Sequence, residues 1–273
     1  MRHPFFEIDV FATTAFSGNP LAVVAEADGL TTEQMRAIAS WTNFSETTFL
    51  LRPTTPEADY RVRIMTPFEE FPFAGHPTLG TARAWLELDG QPRTPGVVVQ
   101  ECGAGLVPVR VADDELSFAT PPCLRAGPLP DDELAELLRV LDLSPQDVVA
   151  HAWGDNGPGW RMVQLSSAEA VRAVRPRADR ADAKVGLVGL EEPGRDAAYE
   201  VRAITDDRED PVTGSLNGAV AQWLRERGLV GSTYVAAQGG QVGRAGRVRI
   251  HDDGSDIWVG GRVVTRVRGA IES

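Results

Sequence analysis

The sequence predicts a mixed α+β protein built from two similar domains. A length of 273 residues with 42% apolar side chains suits two compact domains better than one small core. Short alternating patterns typical of strands are interspersed with a few helical patterns in both halves of the chain. A weak repeat relates residues 74–86 to residues 213–224, and each copy is a glycine turn followed by a helix of small residues that ends in Trp-Leu. Two related domains that present helix N-termini to one cleft are therefore expected.

The first half is predicted to hold seven strands and two helices. Alternating or continuous apolar runs predict strands over residues 5–11, 21–24, 47–51, 60–65, 97–100, 105–111 and 115–119. Thr31 or Thr32 is a candidate N-cap of a helix that ends at Asn43. A second helix begins at residues 75–76, where free amides can receive an anion. Glu46 falls between the first helix and a strand, so it does not lie on a solvated helix face.

Prolines mark the boundary between the two predicted domains. Residues 120–130 carry four prolines and cannot hold a regular helix or a central strand. We predict a first domain over residues 1–119 and a second over residues 120–262. The second domain is expected to begin with a helix at Asp131 and to reach a glycine-led helix at Gly214. Its predicted strands are residues 161–165, 185–190, 199–204 and 247–251.

Composition argues against several classes of function. The net charge of -12 disfavours a nucleic-acid partner, and a single lysine, Lys184, argues against Schiff-base chemistry. No Gly-Lys-Ser/Thr triplet occurs, and the glycines of residues 238–246 precede a strand pattern, so no nucleotide motif is predicted. Cys102 and Cys123 lack the spacing of metal ligands, as do the scattered histidines. We expect no metal, no cofactor, no membrane segment and a cytoplasmic location.

Four motifs in series resemble the PhzF family. They are Asp9-Val10-Phe11 with Phe16 and Gly18-Asn19-Pro20, then Asn43-Phe44-Ser45-Glu46-Thr47, then Gly75-His76, and finally Glu209-Asp210-Pro211-Val212-Thr213-Gly214-Ser215. The resemblance implies the diaminopimelate-epimerase-like fold, in which two similar domains each wrap a mixed β-sheet or barrel around a central helix, with the active site in the interdomain cleft. It also implies a homodimer, and a last strand within residues 263–273 that completes the first domain.

The same resemblance implies the catalytic and binding residues. Glu46 would be the proton shuttle of a cofactor-independent isomerase, acting on a small carboxylated, unsaturated or cyclic substrate such as trans-2,3-dihydro-3-hydroxyanthranilate. That role requires a raised pKa for the Glu46 carboxyl group, and Phe16, Phe44 and Phe73 are candidate apolar walls. His76 and Asp210 would hold the polar group of the substrate. The expected substrate-binding residues are Asn19, Ser45, Gly75, Gly214 and Ser215.

Two other functions stay open at this point. Epimerases and racemases of this fold usually carry two opposed thiols, but Ala74 and Thr213 occupy those positions here, so two-thiol epimerisation is not expected. An epimerase could instead use Glu46 with Asp210. A non-catalytic protein that binds a small carboxylate would need the helix N-termini but no proton shuttle.

Overall fold

The computed structural model describes residues 1–178, 184–205 and 208–273, and these form a mixed α+β protein. Its helices are α1 (Thr32–Thr42), α2 (Gly75–Glu87), α3 (Asp131–Leu141), α4 (Ala168–Ala173) and α5 (Gly214–Glu226). Its strands are β1 (Arg2–Val10), β2 (Asn19–Val24), β3 (Thr47–Leu51), β4 (Tyr60–Met65), β5 (Glu70–Phe71), β6 (Val97–Cys102), β7 (Gly105–Ala112), β8 (Glu115–Ala119), β9 (Val148–Gly154), β10 (Trp160–Leu165), β11 (Lys184–Leu190), β12 (Tyr199–Thr205), β13 (Glu209–Asp210), β14 (Thr233–Gln238), β15 (Gly246–Asp252) and β16 (Ile257–Glu272). The chain divides into two compact units, Met1–Ala119 with Gly260–Ser273, and Thr120–Val259.

The first unit contains a closed barrel of eight strands. Their order is β1-β2-β3-β4-β6-β7-β8-β16, and β16 also pairs antiparallel with β1, which joins the two edges of the sheet. Helix α2 packs against β1, β2, β3, β4, β6, β7 and β8. A Cβ atom on Gly80 would lie 2.4 Å from a Leu21 methyl carbon, so this glycine allows α2 to approach β2 closely.

The second unit orders its strands β15-β14-β12-β11-β10-β9. Helix α5 packs against β9, β10 and β15, and its buried residues are mostly small. Helix α3 presents Leu137, Val140 and Leu141 to an apolar cluster that includes Val163 and Leu187. Burial of such side chains contributes about 1.5–3 kcal/mol each.

Both units hold a buried tyrosine, a buried glutamine and a polar residue on the first turn of the glycine-led helix. In the first unit, the Tyr60 hydroxyl donates to Gln100 Oε1 (3.1 Å), and Gln100 Nε2 donates to Thr78 Oγ1 of α2 (2.9 Å). The second unit has Tyr199, Asn217 and Gln238 in corresponding places, and Asn217 Nδ2 donates to Gln238 Oε1 (2.9 Å). A buried amide therefore joins a strand to the glycine-led helix in each unit.

An arginine-glutamate pair precedes each glycine-led helix at the same spacing. Arg63 on β4 contacts both carboxylate oxygens of Glu70 on β5, at 2.8 and 2.6 Å. Arg202 on β12 contacts both oxygens of Glu209 on β13, at 2.9 and 2.7 Å. Such bidentate pairs fix the relative position of the two side chains. Each pair therefore holds the short strand that precedes the glycine-led helix against its neighbouring strand.

Several elements were absent from the sequence prediction. Strands β5, β9, β13 and β14 and the short helix α4 lie where no element was predicted. The sequence of β9, Val-Val-Ala-His-Ala-Trp-Gly, does not alternate clearly, and its pairing with β10 decides its conformation.

Replacing Gln100, the buried amide of the first unit, tests how much it contributes to stability. Gln100→Met keeps the side-chain length but leaves the Tyr60 hydroxyl and the Thr78 hydroxyl without their partner. We expect the free energy of unfolding to fall by about 2–4 kcal/mol, since each unsatisfied buried group costs about 1–3 kcal/mol. Urea denaturation measures the change.

Gln91→Met is the matched control, because Gln91 is exposed and its amide only contacts the nearby Asp89 carbonyl. A control effect within about 0.5 kcal/mol is expected for such a surface site. Equal stability of the two variants would contradict the structural role assigned to Gln100.

Candidate active site

The Asp9 carboxylate organises the turn that leads into β2. It accepts hydrogen bonds from the backbone amides of Phe16 (2.7 Å) and Gly18 (2.8 Å), and the Arg266 guanidinium lies 3.1 Å away. A Cβ atom on Gly18 would lie 2.1 Å from the Val10 carbonyl oxygen, so only glycine fits there. This tight turn places Asn19 as the first residue of β2.

Asn19, His76 and Glu46 form a line of buried polar groups in the first unit. Asn19 Nδ2 lies 3.3 Å from His76 Nδ1, and His76 Nε2 lies 3.6 Å from Glu46 Oε2. The side chains of His76 and Glu46 are 5% and 14% exposed. Asn19 is fully buried. The imidazole ring therefore stands between the amide and the carboxyl group.

Burial keeps the His76 ring neutral. Loss of solvation lowers the pKa of His76 from 6.5 to about 3. The Asn19 amide nitrogen donates to Nδ1, so the single proton of the neutral ring resides on Nε2. That N–H is directed at the side of the ring where the Glu46 carboxyl group lies, and it can donate a hydrogen bond without carrying a charge.

Glu46 is held by the end of α1 and the start of β3. Asn43 ends α1 in the left-handed region (φ 57°), and the Thr42 and Thr47 hydroxyls lie 3.0 Å apart across the connecting loop. Glu46 is the last residue before β3, which pairs with both β2 and β4. Ser45 occupies the same loop and is half-buried. The carboxyl group is thus attached at the start of a strand that is paired on both sides.

The three phenylalanines predicted as apolar walls differ in their surroundings. Phe16 is 70% exposed and stands near the Arg266 guanidinium, which lies 5.6 Å from its ring centre. Phe73 packs edge to face against Phe118, and Phe44 is half-buried. The packed Phe73 ring lies two residues before Gly75, at the entry to α2.

Helices α2 and α5 both begin without a side-chain cap. Ala74 and Thr213 are their N-cap residues, and neither side chain bonds a first-turn amide. Gly75 and Gly214 are buried at these ends. Amides at a helix start favour an anion, and no side chain occupies those of α2 or α5 as a cap.

The residues before α5 form a hydrogen-bonded cluster in the second unit. The Thr213 hydroxyl donates to Asp210 Oδ2 at 2.5 Å, and Gln238 Nε2 donates to that hydroxyl at 2.9 Å. Gln238 Nε2 also reaches the Asp210 carbonyl at 3.1 Å, and its Oε1 accepts from the Thr213 amide. Gln238 therefore fixes the Asp210 backbone and the start of α5, and the Thr213 hydroxyl holds the Asp210 carboxylate.

Ser215 is the second residue of α5, and it does not cap the helix. Its hydroxyl oxygen accepts from Trp160 Nε1 at 3.0 Å, and its carbonyl oxygen accepts from Asn156 Nδ2 at 2.8 Å. The tryptophan satisfies one lone pair and leaves the hydroxyl proton able to donate.

Each unit brings together its own share of the predicted site residues. Asn19, Ser45, Glu46, Gly75 and His76 belong to the first unit, and Asp210, Gly214 and Ser215 to the second. No pattern in the sequence marks Gln238 and Arg266 as supports of these residues. Gln238 is far along the chain from Asp210, and only the pairing of β14 with β12 brings them together.

The described ranges 1–178, 184–205 and 208–273 show neither a metal cluster nor a membrane-spanning helix. Within them, no cluster of three or more His, Cys, Asp or Glu side chains could hold a metal ion. None of the helices in this part of the chain has the length and apolar character to cross a membrane.

Comparison with known proteins identifies the family of this chain. A family model described as a phenazine biosynthesis-like protein, PhzC-PhzF, matches residues 8–269. The chain belongs to the PhzC-PhzF family. Antisense-enhancing sequence 1 from Schizosaccharomyces pombe is 33% identical over 98% of both chains. A PhzF family structure from Bacillus anthracis superposes with a TM-score of 0.84 at 23% identity, covering 100% of both chains.

Named relatives establish the general class of reaction. The trans-2,3-dihydro-3-hydroxyanthranilate isomerase of Pseudomonas aeruginosa is 33% identical over 93% of this chain and 91% of its own. This PhzC-PhzF protein is an enzyme of the isomerase class.

The His76 ring is expected to stay neutral well into the acid range. At pH 5, two-bond 1H–15N spectra should show the pattern of a neutral ring protonated on Nε2, because burial lowers the pKa of His76 to about 3. His76→Asn identifies the resonance by its loss. Protonation of that ring between pH 7 and 5 would contradict the buried geometry.

The lowered pKa of His76 also makes the free energy of unfolding depend on pH. The unfolded chain takes up this proton below about pH 6.5 and the folded chain only below about pH 3, so the group reduces the free energy of unfolding as the pH falls through that interval. His76→Asn should make the free energy of unfolding less dependent on pH there, measured by urea titrations at several pH values.

Proposed function

We propose that this protein is a cofactor-independent isomerase that moves a proton on a small, carboxylated, unsaturated or cyclic substrate of the trans-2,3-dihydro-3-hydroxyanthranilate type. The observation that carries the proposal is the buried pair of Glu46 and neutral His76, with 3.6 Å between Oε2 and Nε2. The P. aeruginosa relative that bears the name of this isomerase supports the substrate class.

Glu46 is the proposed proton shuttle. An allylic shift removes a proton from one carbon and returns it to another carbon of the same conjugated system, so one carboxyl group can perform both steps. The Glu46 carboxylate takes the proton, becomes a neutral acid, and then delivers the same proton to the new carbon. Its position at the start of a paired strand limits its movement between the two steps.

His76 assists as a neutral hydrogen-bond donor. Its Nε2–H can donate to the Glu46 carboxylate, or to a polar group of the substrate, without moving a full charge into a buried site. Asn19 holds the ring in this tautomer by donating to Nδ1. Ser45, in the Glu46 loop, is the remaining proposed contact of this unit.

The substrate carboxylate is assigned to the uncapped helix starts. Gly75 and Gly214 supply backbone amides, Ser215 supplies a hydroxyl proton, and Asp210 holds an amino or hydroxyl group of the substrate. This assignment requires the diaminopimelate-epimerase-like arrangement, with two similar domains around central helices and an interdomain active site. That arrangement, the cytoplasmic location and the homodimer are part of the proposal.

The reaction is tested by NMR with trans-2,3-dihydro-3-hydroxyanthranilate in deuterated buffer. We expect the wild type to rearrange the substrate, and Glu46→Gln to lose at least about 100-fold in rate, the usual scale for a general acid-base group. Glu69→Gln is the matched control, since Glu69 is an exposed glutamate in the loop before β5. The position of deuterium in the product traces the proton.

Each of the other possible outcomes would indicate a different function or mechanism. Deuterium at the original carbon with inverted configuration would identify an epimerase that uses Glu46 and Asp210. Substrate binding without turnover would identify a carboxylate-binding protein. Equal rates for wild type and Glu46→Gln would remove Glu46 from the mechanism.

A further inference from the structure

The second unit repeats the strand arrangement that positions Asn19 in the first unit. Strand β2 pairs antiparallel with β1 and parallel with β3, and β10 pairs antiparallel with β9 and parallel with β11. Asn19 is the first residue of β2 and lies opposite Val10, the last residue of β1. Trp160 is the first residue of β10 and lies opposite Gly154, the last residue of β9. Trp160 therefore takes the place in the second unit that Asn19 takes in the first.

The turn before each of these strands is shaped in the same way. The residue that precedes β2 is Gly18, and its amide donates to Asp9 Oδ1 at 2.8 Å. The residue that precedes β10 is Gly159, and its amide donates to Asp155 Oδ1 at 2.9 Å. In both units a carboxylate at the end of one strand therefore holds the glycine that leads into the next. The correspondence of Trp160 with the first residue of β2 thus extends to the turn.

Both residues donate a hydrogen bond to the second residue of a glycine-led helix. His76 is the second residue of α2, and Ser215 is the second residue of α5. Asn19 Nδ2 lies 3.3 Å from His76 Nδ1, and Trp160 Nε1 donates to Ser215 Oγ at 3.0 Å. Each bond uses an acceptor atom of the helix residue and leaves the proton of that residue, on His76 Nε2 or on Ser215 Oγ, to be donated elsewhere. An indole N–H can only donate, so the direction of the bond in the second unit is fixed.

Ser215 is consequently a buried donor at the start of α5. The residue is 8% exposed, and its hydroxyl proton has no acceptor among the described residues. Asn156 Nδ2 donates to the Ser215 carbonyl oxygen at 2.8 Å, which fixes the backbone as well. Buried donors are normally paired, and the uncapped amides at the same helix end favour a negative charge. The group that suits Ser215 is therefore an anionic acceptor such as a carboxylate.

We propose that Trp160 is a positioning residue, which acts through Ser215 by directing the serine hydroxyl proton toward the carboxylate of a small organic ligand. Trp160 stands behind Ser215 as Asn19 stands behind His76. Without the indole N–H, the hydroxyl group would rotate between donating and accepting arrangements, and its ordering would weaken ligand binding. This inference rests on the proposed function, in which Ser215 contacts the substrate carboxylate.

A double-mutant cycle tests whether Trp160 acts through Ser215. Anthranilate is the carboxylate probe, and calorimetric titration gives its dissociation constant for wild type, Trp160→Phe, Ser215→Ala and the double variant. We expect Trp160→Phe to weaken binding about threefold to tenfold, the scale of one hydrogen bond. Ser215→Ala should weaken it about tenfold, since a bond to a charged group is stronger. In the Ser215→Ala background, Trp160→Phe should have no further effect.

Trp153→Phe is the matched control. Trp153 lies on the neighbouring strand β9 and packs against the apolar cluster beside α3, and its Nε1 has no acceptor among the described residues. The substitution removes the same atoms as Trp160→Phe but no hydrogen bond to Ser215. We expect the anthranilate dissociation constant of this variant to equal that of the wild type.

The indole signal of Trp160 tests the hydrogen bond itself without a ligand. In 1H–15N spectra, Ser215→Ala should move the Trp160 indole proton upfield and speed its exchange with water, because the acceptor oxygen is gone. The other indole signals should stay in place. Trp160→Phe assigns the signal by its loss, and a small substitution such as Ser215→Ala keeps this measurement independent of how well Trp160→Phe folds.

Three results would overturn the proposal. They are an equal loss of anthranilate affinity on Trp160→Phe with and without the Ser215 hydroxyl, a Trp160 indole signal unmoved by Ser215→Ala, and no binding of anthranilate to the wild type up to about 10 mM. These measurements do not require turnover. A wild type that binds anthranilate with the expected cycle but does not rearrange trans-2,3-dihydro-3-hydroxyanthranilate would refute the proposed reaction and leave the role of Trp160 standing.

Discussion

A buried glutamine side chain in each unit is the interaction on which the arrangement of the site depends. Gln100 and Gln238 lie on strands, yet each bonds a polar residue on the first turn of a glycine-led helix. An amide can donate and accept at once, so it ties strand, helix and a third group together in surroundings that exclude water. Gln238 also binds Thr213 and the Asp210 backbone. The starts of α2 and α5 are therefore fixed by polar cores and not by capping side chains.

Burial also decides the chemistry open to the first unit. An exposed histidine beside a glutamate would form a charged pair, and the carboxylate would then be held as a weak base. Deep burial of His76 removes the positive charge and leaves a dipolar N–H facing the Glu46 carboxyl group. A neutral donor beside the carboxyl group is compatible with the proposed shuttle role of Glu46.

Much of this molecule could be predicted from the sequence, and the remainder depends on distant pairing. Strands β3, β4 and β8 match their predicted bounds, and helix α3 begins at its predicted first residue, because apolar spacing and proline or acidic starts define them locally. Glycine turns indicated where α2 and α5 begin. Strand β9 could not be found, since its conformation follows from its neighbour β10. Likewise, no local pattern marks Gln238 or Arg266, whose partners lie far away in the chain.

The closure of the first barrel by β16 has a consequence for synthesis on the ribosome. Strands β1 to β8 emerge first, but their sheet lacks the strand that joins β8 to β1 until the whole second unit has been translated. All strands of the second unit, apart from the start of β16, are translated before the last strand of the first unit. During translation the open edges of β1 and β8 are unpaired strand edges of the kind that invite aggregation. Chaperone demand should therefore concentrate on the half of the protein that is made first.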